Sequence, residues 1–380
     1  MRDCFRPFLI PAIFSAPGSR SVVEVRSGQP RFQVLRPAFA AALAFIWVGQ
    51  AMAADTVVLS NGDELTGSVF SLAPDAIEIE AEDGVQKLSV VDYRTIIFDG
   101  EPAELSEARR QLEAGKPQTA RDRLADISTA ELADLDRRIR DEHVYLSILA
   151  AAQAASPQEA RTATAALATY LETNPRNHHT YPAREALGNM LAAQGHSEEA
   201  AAAYRELDRG PPALRVRSAA AQGRLLAAGG KPDEAIRRFQ AAGAIATEPA
   251  DVASTAQKQE AALGLARCLA TVGKPAEATS AVRTLIAAAD PADEGLLAAA
   301  FTTLGVCQRA GGTDEDALIS FLTVDLVYNS RAEARAESLA NLVQLWEATN
   351  HPERARAARA VLVESFPESP WAKNLIKPEG

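Results

Sequence analysis

Five histidines and three cysteines are the side chains of this 380-residue chain best suited to metal binding or nucleophilic chemistry. His178 and His179 are adjacent, inside the polar stretch Asn174-Pro-Arg-Asn-His-His-Thr180. Neighbouring imidazoles do not readily ligate one ion from a helix, and no cysteine or acidic third ligand stands at a suggestive spacing, so no metal site is expected. His196 and His351 each follow a turn Gly or Asn where related stretches carry Lys or Thr, which marks them as exposed turn residues. Neither a glycine-rich phosphate loop nor G-x-S-x-G, H-E-x-x-H or a paired C-x-x-C occurs. The many carboxylates fall in helix first turns and on solvated faces. The chain is therefore expected to have no catalytic residues and no cofactor, and to be no enzyme.

Cys4 lies in the leader described below, whereas Cys268 and Cys307 are 39 residues apart, each ten residues before an alanine of the repeat that follows. Equivalent positions in stacked helices are about 9–10 Å apart, too far for a disulfide. Two buried thiols are expected; a disulfide between adjacent units is the alternative an exported protein permits.

The element that must position everything else is the phrase Gly230-Lys-Pro-Asp-Glu-Ala-Ile-Arg-Arg-Phe239. Gly230 tolerates the positive φ that ends a helix. Pro232 suits the first turn of the next, and Asp233 and Glu234 complement its dipole. Ala235 and Phe239 share one face. Variants recur with their alanines at 120, 160, 200, 235, 278, 317 and 355, at spacings of 40, 40, 35, 43, 39 and 38. Twelve residues before the later alanines stands a mostly small residue: Gly188, Gly223, Ala266 and Gly305, with Val343 the weak member. A small residue facing an alanine lets two antiparallel helices approach, and Tyr204, Phe239 or Phe321 fills the space beyond. An alanine-rich helical bundle is the bland alternative, but it would not keep this register.

This small–alanine–aromatic–proline pattern over about 140–380, fainter back to 103, resembles the tetratricopeptide repeat (TPR) family. It departs from the family in its longer units and in lacking the tryptophan near the unit start. The resemblance implies a mostly α fold, a right-handed α-solenoid, whose first helices line a groove for protein or peptide partners. It places the residue after each small position in that groove: Asn189, Arg224, Arg267, Val306 and Gln344. Arg224 and Arg267 suit the carboxylates of an acidic or C-terminal peptide. None of the five is aromatic, which favours protein over glycan.

Composition bounds the partners. Net charge is −11, and without residues 1–53 it is 33 basic against 48 acidic, or −15. That excludes nucleic acid and anionic membrane as main partners, since both need a concentrated basic face. Residues 37–53 form a short apolar core behind Arg36, closed by Ala51-Met52-Ala53, and read as a signal peptide with cleavage before Ala54. The stretch ahead of it is too long for a leader and predicts a downstream translation start, for example at Val34, leaving 1–33 untranslated. Export to the periplasm or cell envelope follows, with membrane contact only through the uncleaved leader.

Residues 54–100 change character. Short strands bounded by Asn61-Gly62, Pro74-Asp75 and Asp83-Gly84 predict a small β-barrel. Leu59-Ser-Asn-Gly-Asp-Glu-Leu-Thr-Gly67 resembles the opening of Sm-like and SH3-like barrels, though the acidic residues Asp63, Glu64, Glu78, Glu80, Glu82 and Asp83 speak against RNA. So small a module is expected to dock on the first helices. Helical repeats are expected over 101–380, with one amphipathic stretch from Thr129 to Ala154 and a terminal capping helix from Trp371. The function this predicts is an exported protein–protein interaction scaffold. A peptide- or glycan-binding accessory subunit of an envelope enzyme or assembly complex is the alternative.

Overall fold

The computed structural model describes residues 54–156, 158–247 and 251–376. The expected leader over 1–53 and its apolar core lie outside them. Strands β1 (Asp55–Leu59), β2 (Glu64–Leu72), β3 (Ala76–Ala81), β4 (Gly84–Ser89) and β5 (Tyr93–Ile97) form one antiparallel sheet in the order β4-β3-β2-β1-β5. Alternation in β3 buries Ile77 and Ile79 fully and turns Glu80 to solvent. Gly67 in β2 is required by close approach, because a Cβ there would fall 2.3 Å from the Glu80 carbonyl oxygen of β3.

The sheet is open, and this corrects the expected closed barrel. β4 and β5 stand at opposite edges. The face that closure would have sealed is covered by helices instead: Val57, Val69, Ile77, Ile79 and Ile96 share one apolar core with Leu105, Ala108, Ile139 and Leu146. Asp55, 3% exposed, ties the sheet to the helices. It accepts from the backbone N–H of Val69 (2.9 Å) and Asp99 (3.0 Å) and from Arg138 Nη1 (2.8 Å), which also donates to the Val69 carbonyl. Tyr181 Oη donates to Asp75 Oδ1 at 2.8 Å.

Among the described residues sixteen α-helices follow: α1 (Ala103–Glu113), α2 (Pro117–Ala125), α3 (Thr129–Asp134), α4 (Arg137–Ala154), α5 (Ala160–Thr173), α6 (Thr180–Ala193), α7 (Ser197–Arg205), α8 (Pro212–Ala228), α9 (Pro232–Ala244), α10 (Val252–Thr271), α11 (Pro275–Ala288), α12 (Glu294–Ala310), α13 (Asp314–Leu326), α14 (Ala332–Ala348), α15 (Pro352–Ser365) and α16 (Pro370–Ile376). The stretch expected as one helix over 129–154 is two. Leu135 turns extended, and the Asp136 carboxylate caps α4 by accepting from the Arg138 N–H at 2.7 Å. Val144 of α4 faces solvent, 48% exposed.

The repeated turn is built alike at six places. Gly115, Gly195, Gly230, Gly273 and Gly312 have φ between 68° and 82°, and Asn350 has φ 59°. The next residue in each donates its N–H to the carbonyl five back, as in Lys231 to Leu226 at 2.9 Å and His351 to Trp346 at 2.7 Å. That bond satisfies a helix-end carbonyl and sets the direction of the next helix. Ala120, Ala200, Ala235, Ala278, Ala317 and Ala355 are all buried. Ala160 is the exception, being only half-buried. The α4–α5 link carries no left-handed glycine, and Ala163 with fully buried Leu167 takes the places that Ala200 and Tyr204 hold in the next unit. The copy read at Ser156–Ala160 is thus three residues out of register.

Glycine and aromatic meet directly. A Cβ at Gly188 would fall 2.5 Å from Tyr204, at Gly223 2.7 Å from Phe239, and at Gly305 2.6 Å from Phe321. The helix before each turn and the helix after it form two layers. α8, α10, α12 and α14 pack on one another in succession, whereas among the described residues no two of α9, α11, α13 and α15 pack comparably. The first helices are therefore the inner, more tightly spaced layer. α16 closes the array against α14 and α15, with Ala372 buried. Cys268 and Cys307 are both free and buried. No described helix is long and apolar enough to cross a membrane.

Candidate functional site

The inner layer carries the five residues assigned to a groove, and it treats them unequally. Each follows the small position on its helix and so emerges beside the packing seam. Asn189 on α6 is exposed, with its Oδ1 accepting from Tyr204 Oη at 2.8 Å. Arg224 on α8 is exposed and reaches Glu260 of α10 only at 3.5 Å, with both side chains about half in solvent. Such a pair contributes little and exchanges readily. Gln344 on α14 is exposed and accepts from Arg309 Nη1 at 2.9 Å. Val306 on α12 is half-buried and packs into the C-terminal core.

Arg267 on α10 is different. Its Nη1 and Nη2 donate to the two oxygens of Glu337 on α14 at 2.7 and 3.0 Å, and its Nε donates to Thr303 Oγ1 of α12 at 3.1 Å. One guanidinium spans three inner helices in the planar fork geometry that suits a carboxylate. Arg267, placed in the groove by the repeat, also braces the array from within. The residue that sequence reading missed is its partner Glu337, 70 positions away and 8% exposed. Similar ties follow the layer. Arg217 of α8 pairs with Glu185 of α6 through both nitrogens, and Arg309 of α12 donates to Asn341 Oδ1 of α14 at 2.7 Å. The layer is a row of arginines, each directed at an acid or amide on another inner helix.

A second polar assembly lies beneath the sheet. Arg109 of α1 donates through Nη1 and Nη2 to Glu101 at 2.9 and 3.2 Å, and Nη2 also reaches Glu142 Oε1 of α4 at 3.2 Å. Glu142 Oε2 faces the α5–α6 turn. It lies 2.6 Å from His179 Nε2 and 3.7 Å from His178 Nε2. His179 stacks on Tyr145, with ring centroids 3.7 Å apart. Burial alone would raise the Glu142 pKa, but His179, His178 and Arg109 outweigh it and hold the carboxyl well below its usual range. Burial, with His178 and Arg109 nearby, pushes His179 down to about 4 against the opposing pull of Glu142. The acidic neighbour that spacing did not reveal thus arrives from 36 positions upstream of His178 through tertiary packing. His196 and His351 are exposed in their turns, as their positions in the repeat require.

No family model and no curated protein matches the chain. Its likeness is to solved structures, at low identity. A tetratricopeptide repeat protein from Parabacteroides merdae superposes with a TM-score of 0.51 at 15% identity, over 72% of this chain and 96% of that one. The apo form of the quorum sensor NprR from B. thuringiensis gives 0.54 at 12% identity, over 69% and 74%. The apo form of RapI gives 0.50 at 12%, over 70% and 76%. These similarities show the fold alone, a TPR-like α-solenoid.

Proposed function

We propose that this chain is an exported scaffold that holds a segment of a protein partner along the inner face of α6, α8, α10, α12 and α14, without catalysis of its own. The observation that carries this reading is the division of labour on that face. Arg267 and Arg217 are engaged in internal ties, while Asn189 and Arg224 stand exposed on the neighbouring inner helices α6 and α8, and Gln344 stands exposed further along on α14. Arg224, paired only loosely, suits a carboxylate of the bound segment. The leader features of residues 37–53 support export to the periplasm or cell envelope.

The same face supports a second reading, a peptide- or glycan-binding accessory subunit of an envelope enzyme or assembly complex. A glycan groove relies on aromatic stacking, and Asn189, Arg224, Arg267, Val306 and Gln344 offer none, which favours a protein segment. Affinity capture from envelope fractions with the wild type and with an Asn189→Ala/Arg224→Glu/Gln344→Ala variant tests this. Captured segments would then be titrated as synthetic peptides. Recovery by the wild type and loss by the folded variant is expected. Equal recovery by both would remove the groove from the account.

A further inference from the structure

We infer that Glu142, His178 and His179 form a binding site for one divalent transition-metal ion, zinc in the first instance. Glu142 Oε2 and one nitrogen of each imidazole all lie within 4.8 Å of one another. The Glu142 oxygen stands 2.6 and 3.7 Å from the two Nε2 atoms. Ligands held about 2.0–2.2 Å from one ion are separated by about 3.0–3.5 Å at octahedral or tetrahedral angles. Binding such an ion requires the 2.6 Å pair to open and the 3.7 Å pair to close slightly. Two imidazoles and a carboxylate match zinc and its neighbours and do not match calcium or magnesium, which take oxygen ligands.

The charge and hydrogen-bond balance point the same way. One guanidinium, Arg109, is shared between two carboxylates, Glu101 and Glu142. Glu142, 3% exposed, thus has only a share of one arginine as a permanently charged partner. A buried charge without full compensation is costly, and a cation beside Oε2 supplies the compensation. His178 is 6% exposed and its Nδ1 has no hydrogen-bond partner. Its Nε2, 3.7 Å from Glu142, is beyond hydrogen-bond reach. An imidazole buried in this way is expensive unless a nitrogen binds something else. The support around the ligands is already built. Arg109 fixes the far oxygen of Glu142, and Tyr145 fixes the plane of His179. Such outer partners orient ligands and raise affinity. The His179 side chain is 13% exposed, which gives an ion a way in from solvent.

The site is independent of the inner-face groove, so either can fail alone. The test uses tag-free protein stripped with a chelator and titrated with Zn2+ against a chromophoric competitor, and separately with Co2+. One equivalent of zinc, a raised Tm and visible Co2+ d–d absorption are expected. Glu142→Gln and a His178→Asn/His179→Asn double variant should each weaken zinc binding at least tenfold. Absorption fine structure of the zinc-loaded wild type should show two imidazoles, a readout that needs no folded variant. The proposal is overturned by a wild type that takes up no zinc, by equal affinity in the folded double variant, or by a zinc environment with fewer than two imidazoles.

Discussion

The ring of Phe239 occupies the space that a side chain at Gly223 would need, since a Cβ there falls 2.7 Å from Phe239 Cε1. The same ring stands 2.6 Å from the corresponding point on Gly264 of the next unit. One aromatic side chain thus closes the seam within its unit and the seam to the following one. Gly223→Ala is expected to cost about 1–3 kcal/mol by forcing a buried ring to move. Phe239→Ala should cost about 3–5 kcal/mol through the cavity it leaves. Denaturant unfolding measures both. A neutral Gly223→Ala would break the link between this glycine and this ring.

The alanines after the turns make a matching case. Ala200, Ala235 and Ala317 are fully buried between their helices. Replacing any one with Leu should overpack that seam by about 1–3 kcal/mol. Ala160→Leu, three residues out of register and half-buried, should cost clearly less. A melting series of the four variants decides the register.

The turn and its alanine were legible because both are local, a helix end and a helix face repeated at nearly fixed spacing. What escaped was non-local. Whether the strands close into a barrel depends on β4 meeting β5, which no run of residues encodes. The Ala160 register failed because its turn lacks the glycine that marks the others. His178 and His179 sit in a stretch that reads as a solvated loop, and only the fold carries α4 and Glu142 against it. Arg267 was found by its place in the repeat, but its tie to Glu337 was not, because Glu337 lies two inner helices away.

Arg224 and Arg267 should therefore separate on mutation. Arg267→Ala leaves a nearly buried carboxylate at Glu337 without its fork. It is expected to cost about 1–2 kcal/mol, part of the gross interaction being lost to solvent screening. Arg224→Ala should leave stability within about 0.5 kcal/mol and act on partner capture alone. Thermal melts run beside pull-downs check both. A stability loss at Arg224 matching that at Arg267 would contradict the division.

The thiols give a pH test. Burial pushes the Cys307 thiol up to about 11, against a smaller opposing effect of Arg267. The folded state then holds a proton that the unfolded state releases. The contribution is fully present below about pH 8.5, the ordinary thiol range, and is lost as pH rises towards 11. Cys307→Ala should flatten the fall in Tm over that window relative to wild type. Native protein should alkylate slowly at pH 8, and Cys268 and Cys307 should both titrate as free thiols in denaturant.

The forked bond from Arg267 to Glu337 also has a mechanical meaning. It lies on the side where successive first helices touch, while among the described residues the outer helices α11 and α13 are joined only by the exposed, looser pair Arg283–Asp316 at 3.7 Å. Resistance to bending is thus concentrated in side chains that belong to the surface a partner would meet. Cutting that fork, as Arg267→Ala does, would therefore loosen the array on its inner side first.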